Sequence, residues 1–207
     1  EEPADLEGQK VGVPEGGSAE MILALALDSA GLSLDDVEKV VLDPPNVVSA
    51  YVGGQIDNAA IFSPLSAQIM ESVPDTVTVA QNTDFPDTAF LGSWVASSEA
   101  VTEQAVAIQG FLEVYTEVND YRIENTDEVV AWASVESGAP EDQLAQQATV
   151  SEWTPSAQIL ANNEDGTTFD QFRSLEEVFV MTGRMDSVND PATFVNTALF
   201  AAAMEAR

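Results

Sequence analysis

The chain has 207 residues, with 36 Asp and Glu against 6 Lys and Arg, a formal charge of −30. It contains neither Cys nor His, which excludes disulfides, thiolate chemistry, a Ser-His-Asp triad, His-ligated zinc and imidazole acid–base catalysis. Nucleic acid is a poor partner for such a surface, because phosphate binding needs clustered Lys and Arg. Hydrophobic residues make up 45%, a globular fraction rather than a disordered one.

The acid is spread evenly. Residues 1–95 hold 16 acids and 2 bases and residues 96–207 hold 20 and 4, or −14 and −16. Self-repulsion of this kind is screened at molar salt, where the Debye length is about 3 Å. This charge, with only Lys10 and Lys39 as lysines, leads us to expect a high-salt habitat. No run of 18 apolar residues is present, and the first residues do not read as a signal peptide. A cytoplasmic chain and a mature form whose leader is gone both fit.

In chain order, Lys10 to Pro14 reads as a strand, Gly16-Gly17-Ser18 as a turn, and residues 19–30 as a helix closed by Gly31. Leu34 to Val37 is a turn or short helix, and residues 37–42 form a second strand. Pro44-Pro45 opens a helix to about Val52. Asn58 to Phe62 is a buried strand, and Ser63-Pro64 reads as cap and first residue of a third helix. Residues 76–80 and 88–95 are expected as further strands. This β-α-β order predicts an α/β fold with a parallel-rich sheet. A mostly helical half follows, with helices over 99–118, 126–137, 140–149, 156–162, 169–182 and 192–206. Thr126 is expected at a helix start, and residues 163–166 as a polar loop.

The strand–glycine turn–helix at Gly16, Gly17 and Ser18 is one candidate site, since free N–H groups and the helix dipole converge there. An ordinary capped turn has the same sequence. No G-x-G-x-x-G or G-K-[ST] accompanies it, which argues against dinucleotides and nucleoside triphosphates. Phe62 and Ser63 stand at the carboxyl end of a strand, where open α/β sheets bind ligands. They fit a core strand and helix cap equally. Trp94 lies near another strand end, where core packing is the commoner role. Carboxylates are too numerous for any pair to be informative. The Ala161-to-Gly166 stretch is no EF-hand, because with Gly166 in sixth place the first and twelfth ligands would be Ala161 and Phe172, and no G-x-S-x-G occurs. No catalytic residue, metal or cofactor is therefore expected.

Several phrases in order carry a resemblance. Asp5-Leu6-Glu7-Gly8-Gln9-Lys10-Val11-Gly12-Val13-Pro14, then Gly17-Ser18-Ala19, Gly31-Leu32 to Val37, and Gly54-Gln55-Ile56-Asp57-Asn58-Ala59 resemble successive motifs of substrate-binding proteins of ABC transporters, of the nitrate/sulfonate/taurine and thiamine-precursor group. The resemblance is dense over residues 5–97. Phe62-Ser63-Pro64 stands where that family often has Trp-Glu-Pro, a departure that argues against a cationic ring and for an anion.

The resemblance implies a periplasmic-binding-protein-like fold of two lobes, matched here from its middle. Residues 9–92 would form an α/β lobe, the second of the fold. Residues 97–207 would form the helical segment that normally packs on the first lobe, leaving apolar faces that offer a homodimer surface. The implied function is capture of a small anionic or polar solute, such as nitrate, taurine or an alkanesulfonate, for an ABC permease. The implied location is periplasmic or extracellular, with membrane association through a removed leader or lipid anchor. Gly16, Gly17 and Ser18 would hold the solute's head, Phe62 and Ser63 would line the cleft, and Asp43 would stand opposite, with Trp94 nearby. The family also includes iron- and histidine-using pyrimidine synthases, whose chemistry this His-free chain excludes. The alternatives are a ligand-sensing effector domain of a LysR-like regulator, or a truncated fragment without binding activity.

Overall fold

The structure, a computed structural model, describes residues 2–88, 90–149 and 151–207. It divides into two compact units. One comprises residues 2–88, Phe90 and Arg173–Asn189, and the other Leu91–Phe172 and Asp190–Arg207.

The first unit is built on strands β1 (Lys10–Val13), β2 (Glu38–Val41) and β3 (Asn58–Ala59), all parallel in the order β2-β1-β3. Helix α1 (Ser18–Ser29) connects β1 to β2, and α2 (Pro44–Val52) connects β2 to β3. With this order, right-handed crossovers put the two helices on opposite faces, and the core is divided accordingly. Val11 and Val13 pack with Leu23 and Leu27 of α1, together with Leu6 and Val37. Val47 and Ala50 of α2 pack with Ile56. The alternation of Val11, Gly12 and Val13 along β1 serves both faces. Gly12 has no side chain because a Cβ there would overlap Ile56 Cδ1.

Helix α1 ends as its sequence suggests. Gly31, at φ 74°, donates to the Asp28 carbonyl, and Leu32 N–H reaches Leu27 O at 2.9 Å. These are the two bonds of a Schellman cap, which needs a left-handed residue.

Helix α3 (Leu65–Ser72) departs from expectation at its start. Its cap position is Pro64, not Ser63, no side chain caps it, and the Ser63–Pro64 peptide is cis. Residues 76–80 are irregular rather than a strand, and so are residues 90–95; Ala89 of the second expected strand lies outside the described residues. A strand requires a ladder partner, and neither segment has one among the described residues.

The second unit is helical: α4 (Ser98–Glu103), α5 (Ala105–Glu124), α6 (Thr126–Ser137), α7 (Glu141–Thr149), α8 (Ser156–Asp165), the first residues of α9 (Thr167–Met181), and α10 (Thr197–Glu205). The expected 99–118 helix is two, broken at Gln104. Asn125, not Thr126, takes the cap position of α6; the Thr126 hydroxyl bonds back to Arg122 O at 3.1 Å. Residues 163–165 continue α8 and only Gly166, at φ 93°, turns the chain. The last expected helix is a short 3₁₀ turn at Pro191–Thr193 followed by α10. A buried polar knot joins α5 to the start of α8. Asn119 Nδ2 donates to Thr154 O at 2.9 Å and Ser156 Oγ at 3.2 Å, and the Ser156 hydroxyl donates to Thr116 O at 3.1 Å. Arg207 ties α10's end to Asp120 of α5 at 2.6 Å. No helix among the described residues is long and apolar enough to cross a membrane.

Candidate functional site

Three parallel strands end at one edge of the sheet, so the loops that follow them meet there. After β1 comes Pro14 to Gly17; after β2, Leu42 and Asp43; after β3, Ala60 to Ser63. Two bonds continue the ladder into these loops: Leu42 N–H to Val13 O at 3.2 Å, and Ala60 N–H to Gly12 O at 2.9 Å. The sheet thus gathers Gly16, Gly17, Ser18, Asp43, Phe62 and Ser63 at its carboxyl edge. Trp94 belongs to the other unit, where its exposed ring meets Phe111 edge-on at 4.9 Å and Tyr115 at 5.8 Å.

Gly16, at φ 81°, and Gly17, the cap residue, turn the chain into α1. No side chain caps this helix. The N–H groups of Gly17, Ser18 and Ala19 have no protein acceptor among the described residues, and Ser18 is exposed. Gly16 N–H is engaged: it donates to Glu20 Oε2 at 2.8 Å. The open seat is therefore Gly17 and Ser18.

Glu20 is the feature that reading the sequence missed. Its side chain is 2% exposed and bears a full complement of partners. Lys39 Nζ donates at 2.9 Å, and Arg184 donates from Nη2 at 3.0 Å and from Nε at 3.2 Å. Glu15, at the exposed rim, accepts from Arg184 at 2.7 Å and lies 3.4 Å from Lys39 Nζ. Burial pushes the Glu20 carboxyl up, but the Lys39, Gly16 and Arg184 hydrogen bonds outweigh it and hold it below the ordinary carboxylate range. The Arg184 hydrogen bond and charge likewise hold Glu15 down, and Arg184 itself is raised, chiefly by Glu15 and then Glu20. A visible signal for Glu20 is its place three residues after the cap, where glutamate commonly bonds back. Arg184 lies 164 residues away, and nothing local marks it.

Of the remaining candidates, Phe62 is 43% exposed and its carbonyl accepts from Ser66 N–H. Ser63 is exposed. Asp43 precedes α2; its carbonyl accepts from Asn46 and Val47, while its carboxylate is exposed and makes no bond among the described residues. Within those residues no three carboxylates converge as a metal site. The edge offers open N–H groups, one hydroxyl, one aromatic face and a neutralised ion cluster, and it can hold a small polar or anionic group.

A protein of Brucella abortus (strain 2308), provisionally named a binding protein, is 36% identical over 200 residues. These are 96% of this chain and 63% of that protein, so the chain spans less than two thirds of the relative's length. A protein of Escherichia coli (strain K12), provisionally named for binding aliphatic sulfonates, is 28% identical over 69% of this chain and 44% of its own. In fold, the chain is similar to the periplasmic aliphatic sulphonate binding protein SsuA from Escherichia coli, with a TM-score of 0.67 over 97% of this chain and 66% of that one at 21% identity. The NMT1/THI5-like family matches residues 1–129, well over half the chain, and the phrases Asp5 to Pro14 and Gly54 to Ala59 fall inside that match; the chain belongs to the NMT1/THI5-like family.

Proposed function

We propose that the chain acts in solute binding for an ABC importer outside the cytoplasmic membrane, and that it is not an enzyme. The solute is a small anion or polar molecule of the taurine, alkanesulfonate or nitrate kind. The observation that carries this reading is the α1 N-terminus at the sheet's carboxyl edge, with the N–H groups of Gly17 and Ser18 unpaired and the Ser18 hydroxyl beside them. A sulfonate or nitrate oxygen is an acceptor of the kind these donors lack. Phe62 supplies an apolar wall for a short alkyl stem, and Ser63 and Asp43 are polar neighbours at the same edge. On this reading residues 9–92 are the binding lobe, and residues 97–207, apart from Arg173–Asn189 of the first unit, dress a partner lobe. The permease is the protein partner, and the exposed apolar faces of the helical half serve as a homodimer surface. The binding-protein reading is preferred to a regulator's effector domain because relatives at 36% and 28% identity are named for binding.

The test is thermal shift and calorimetry with taurine, ethanesulfonate and nitrate at molar potassium chloride. A ligand that binds only the native state raises the melting temperature. Ser18→Ala is expected to weaken ethanesulfonate binding about fivefold, the loss of about one hydrogen bond, whereas Ser66→Ala, away from the α1 terminus, leaves it unchanged. No shift with any of the three solutes would overturn the reading for this chain; equal effects of the two substitutions would overturn the seat.

A further inference from the structure

The turn before α1 contains two adjacent glycines, Gly16 and Gly17. Glycine loses more backbone freedom on folding than any other residue, so a Gly-Gly turn keeps one shape only where its flanks are held. Glu15 precedes the pair and Glu20 follows it by three residues. The two carboxylates lie close enough to share both Lys39 and Arg184, and without cations they would repel. Lys39 Nζ reaches Glu20 at 2.9 Å but Glu15 only at 3.4 Å. Arg184 engages both at short range, 2.7 Å from Glu15 and 3.0 Å from Glu20. Glu20 Oε2 accepts from Gly16 N–H at 2.8 Å and from Arg184 Nη2 at 3.0 Å, so the guanidinium lies within about 6 Å of the turn's own backbone nitrogen.

Arg184 comes from a distant part of the chain, and its place there is equally fixed. Helix α9 runs out at Gly183, at φ 71°, where Gly183 N–H donates to Val180 O at 3.0 Å and Arg184 N–H to Phe179 O at 2.8 Å. This is the bond pair of a Schellman cap, with Arg184 just past the left-handed glycine. Residues 173–189 belong to the same compact unit as the turn. The planar fork of an arginine serves two carboxylates in one fixed geometry, which a lysine ammonium on its flexible stem does not.

We propose that Arg184 is the positioning residue of the α1 turn: it ties Glu15 to Glu20 across Gly16 and Gly17, and so presets the N–H groups of Gly17 and Ser18 for a solute. It acts through the two carboxylates, and it couples the docking of residues 173–189 to the shape of the turn. The holding of the turn stands on these contacts alone, whereas its effect on affinity rests on the solute-binding reading.

The experiment uses the full 207-residue chain in molar potassium chloride, well below the melting temperature of every variant, with two readouts. Order parameters of the Gly16 and Gly17 amides are measured by NMR without solute, and ethanesulfonate affinity by calorimetry. Arg184→Gln removes fork and charge; Arg184→Lys keeps the charge alone. Arg184→Gln should lower the order parameters from the rigid range near about 0.85 to below about 0.6, and Arg184→Lys should lower them part of the way. Ethanesulfonate binding to Arg184→Gln should weaken about three- to tenfold, the cost of ordering one or two mobile residues on binding. Asn189→Ala, in the same returning segment, loses a 3.0 Å bond to buried Glu176 and no contact with the turn, so both readouts should stay at the parent value. Unchanged order parameters in Arg184→Gln, a turn loosened as much by Asn189→Ala, or parental order parameters in Arg184→Lys would each overturn the proposal. A loosened turn with undiminished ethanesulfonate affinity would overturn the role in binding. If the parent binds no solute while Arg184→Gln still loosens the turn, the solute-binding reading fails and the positioning of the turn stands.

Discussion

At the residue scale, Glu20 is the most consequential side chain in the first unit. Its carboxylate is buried and meets Gly16 N–H, Lys39 and Arg184, so it fixes both the turn before α1 and the two cations beside it. Glu20→Gln would leave Lys39 and Arg184 to share the exposed Glu15. Removing one member of a buried pair costs about 3–5 kcal/mol; because both cations are partly solvated, a loss of about 2 kcal/mol is expected by urea denaturation. Glu15→Gln, at the exposed rim, should lower the urea midpoint less than Glu20→Gln does. The pH dependence has a fixed sign. Glu20 is depressed in the folded state, so the unfolded chain binds its proton first as pH falls. The stability it contributes is complete above the ordinary carboxylate range and is lost as pH drops through the folded value. Urea midpoints taken from pH 6 downward should therefore fall less steeply for Glu20→Gln than for the parent, and parallel slopes would show that Glu20 is not the group responsible.

At the scale of elements, the central strand is limited by one glycine. A Cβ at Gly12 would meet Ile56 Cδ1, and Ile56 is pinned against Val47 in the α2 core. Gly12→Ala is expected to destabilise by about 1–3 kcal/mol through overpacking. Ile56→Val removes the offending methyl, so the double variant should recover part of the loss; strict additivity in a denaturation cycle would reject this explanation. The elements that could be read from the sequence are those whose signals are local. Gly31 closing α1 and Pro44 opening α2 needed only neighbours a few residues away. Helices of the second unit were placed by periodicity, though Gln104 breaks α4 from α5 with no proline or glycine to announce it. Residues 76–80 failed as a strand for the opposite reason. Their alternation is present, but a strand is completed by a ladder that no residue of the pattern itself supplies. The same limit applies to the site. Gly16, Gly17, Ser18, Asp43, Phe62 and Ser63 could be named because each follows a strand, whereas the Glu20–Arg184 contact depends on chain segments far apart in sequence.

At the scale of the whole molecule, the −30 charge acts on stability and binding separately. The compact state concentrates like charge, so potassium chloride raised from about 0.1 M to about 1 M, which shortens the Debye length from about 10 Å to about 3 Å, should raise the melting temperature. Equal melting temperatures would remove the high-salt habitat as an explanation of the composition. For an anionic solute the same field is repulsive at long range, and on the proposed reading the attraction comes from Gly17 and Ser18, over the first turn of α1. The nearest cations do not supply it: Lys39 and Arg184 are matched in number by Glu15 and Glu20. Screening therefore weakens the repulsion over tens of ångströms while leaving hydrogen bonds of about 3 Å almost untouched. Ethanesulfonate affinity measured by calorimetry should accordingly rise between 0.1 M and 1 M salt, by roughly two- to tenfold, where binding to an ordinary cationic pocket would fall. Chloride competing for the same donors would act against this, so potassium chloride and potassium glutamate should be compared at equal ionic strength, with the larger increase expected in glutamate. A fall in affinity in both salts would show that net local positive charge, rather than unpaired N–H groups, holds the solute.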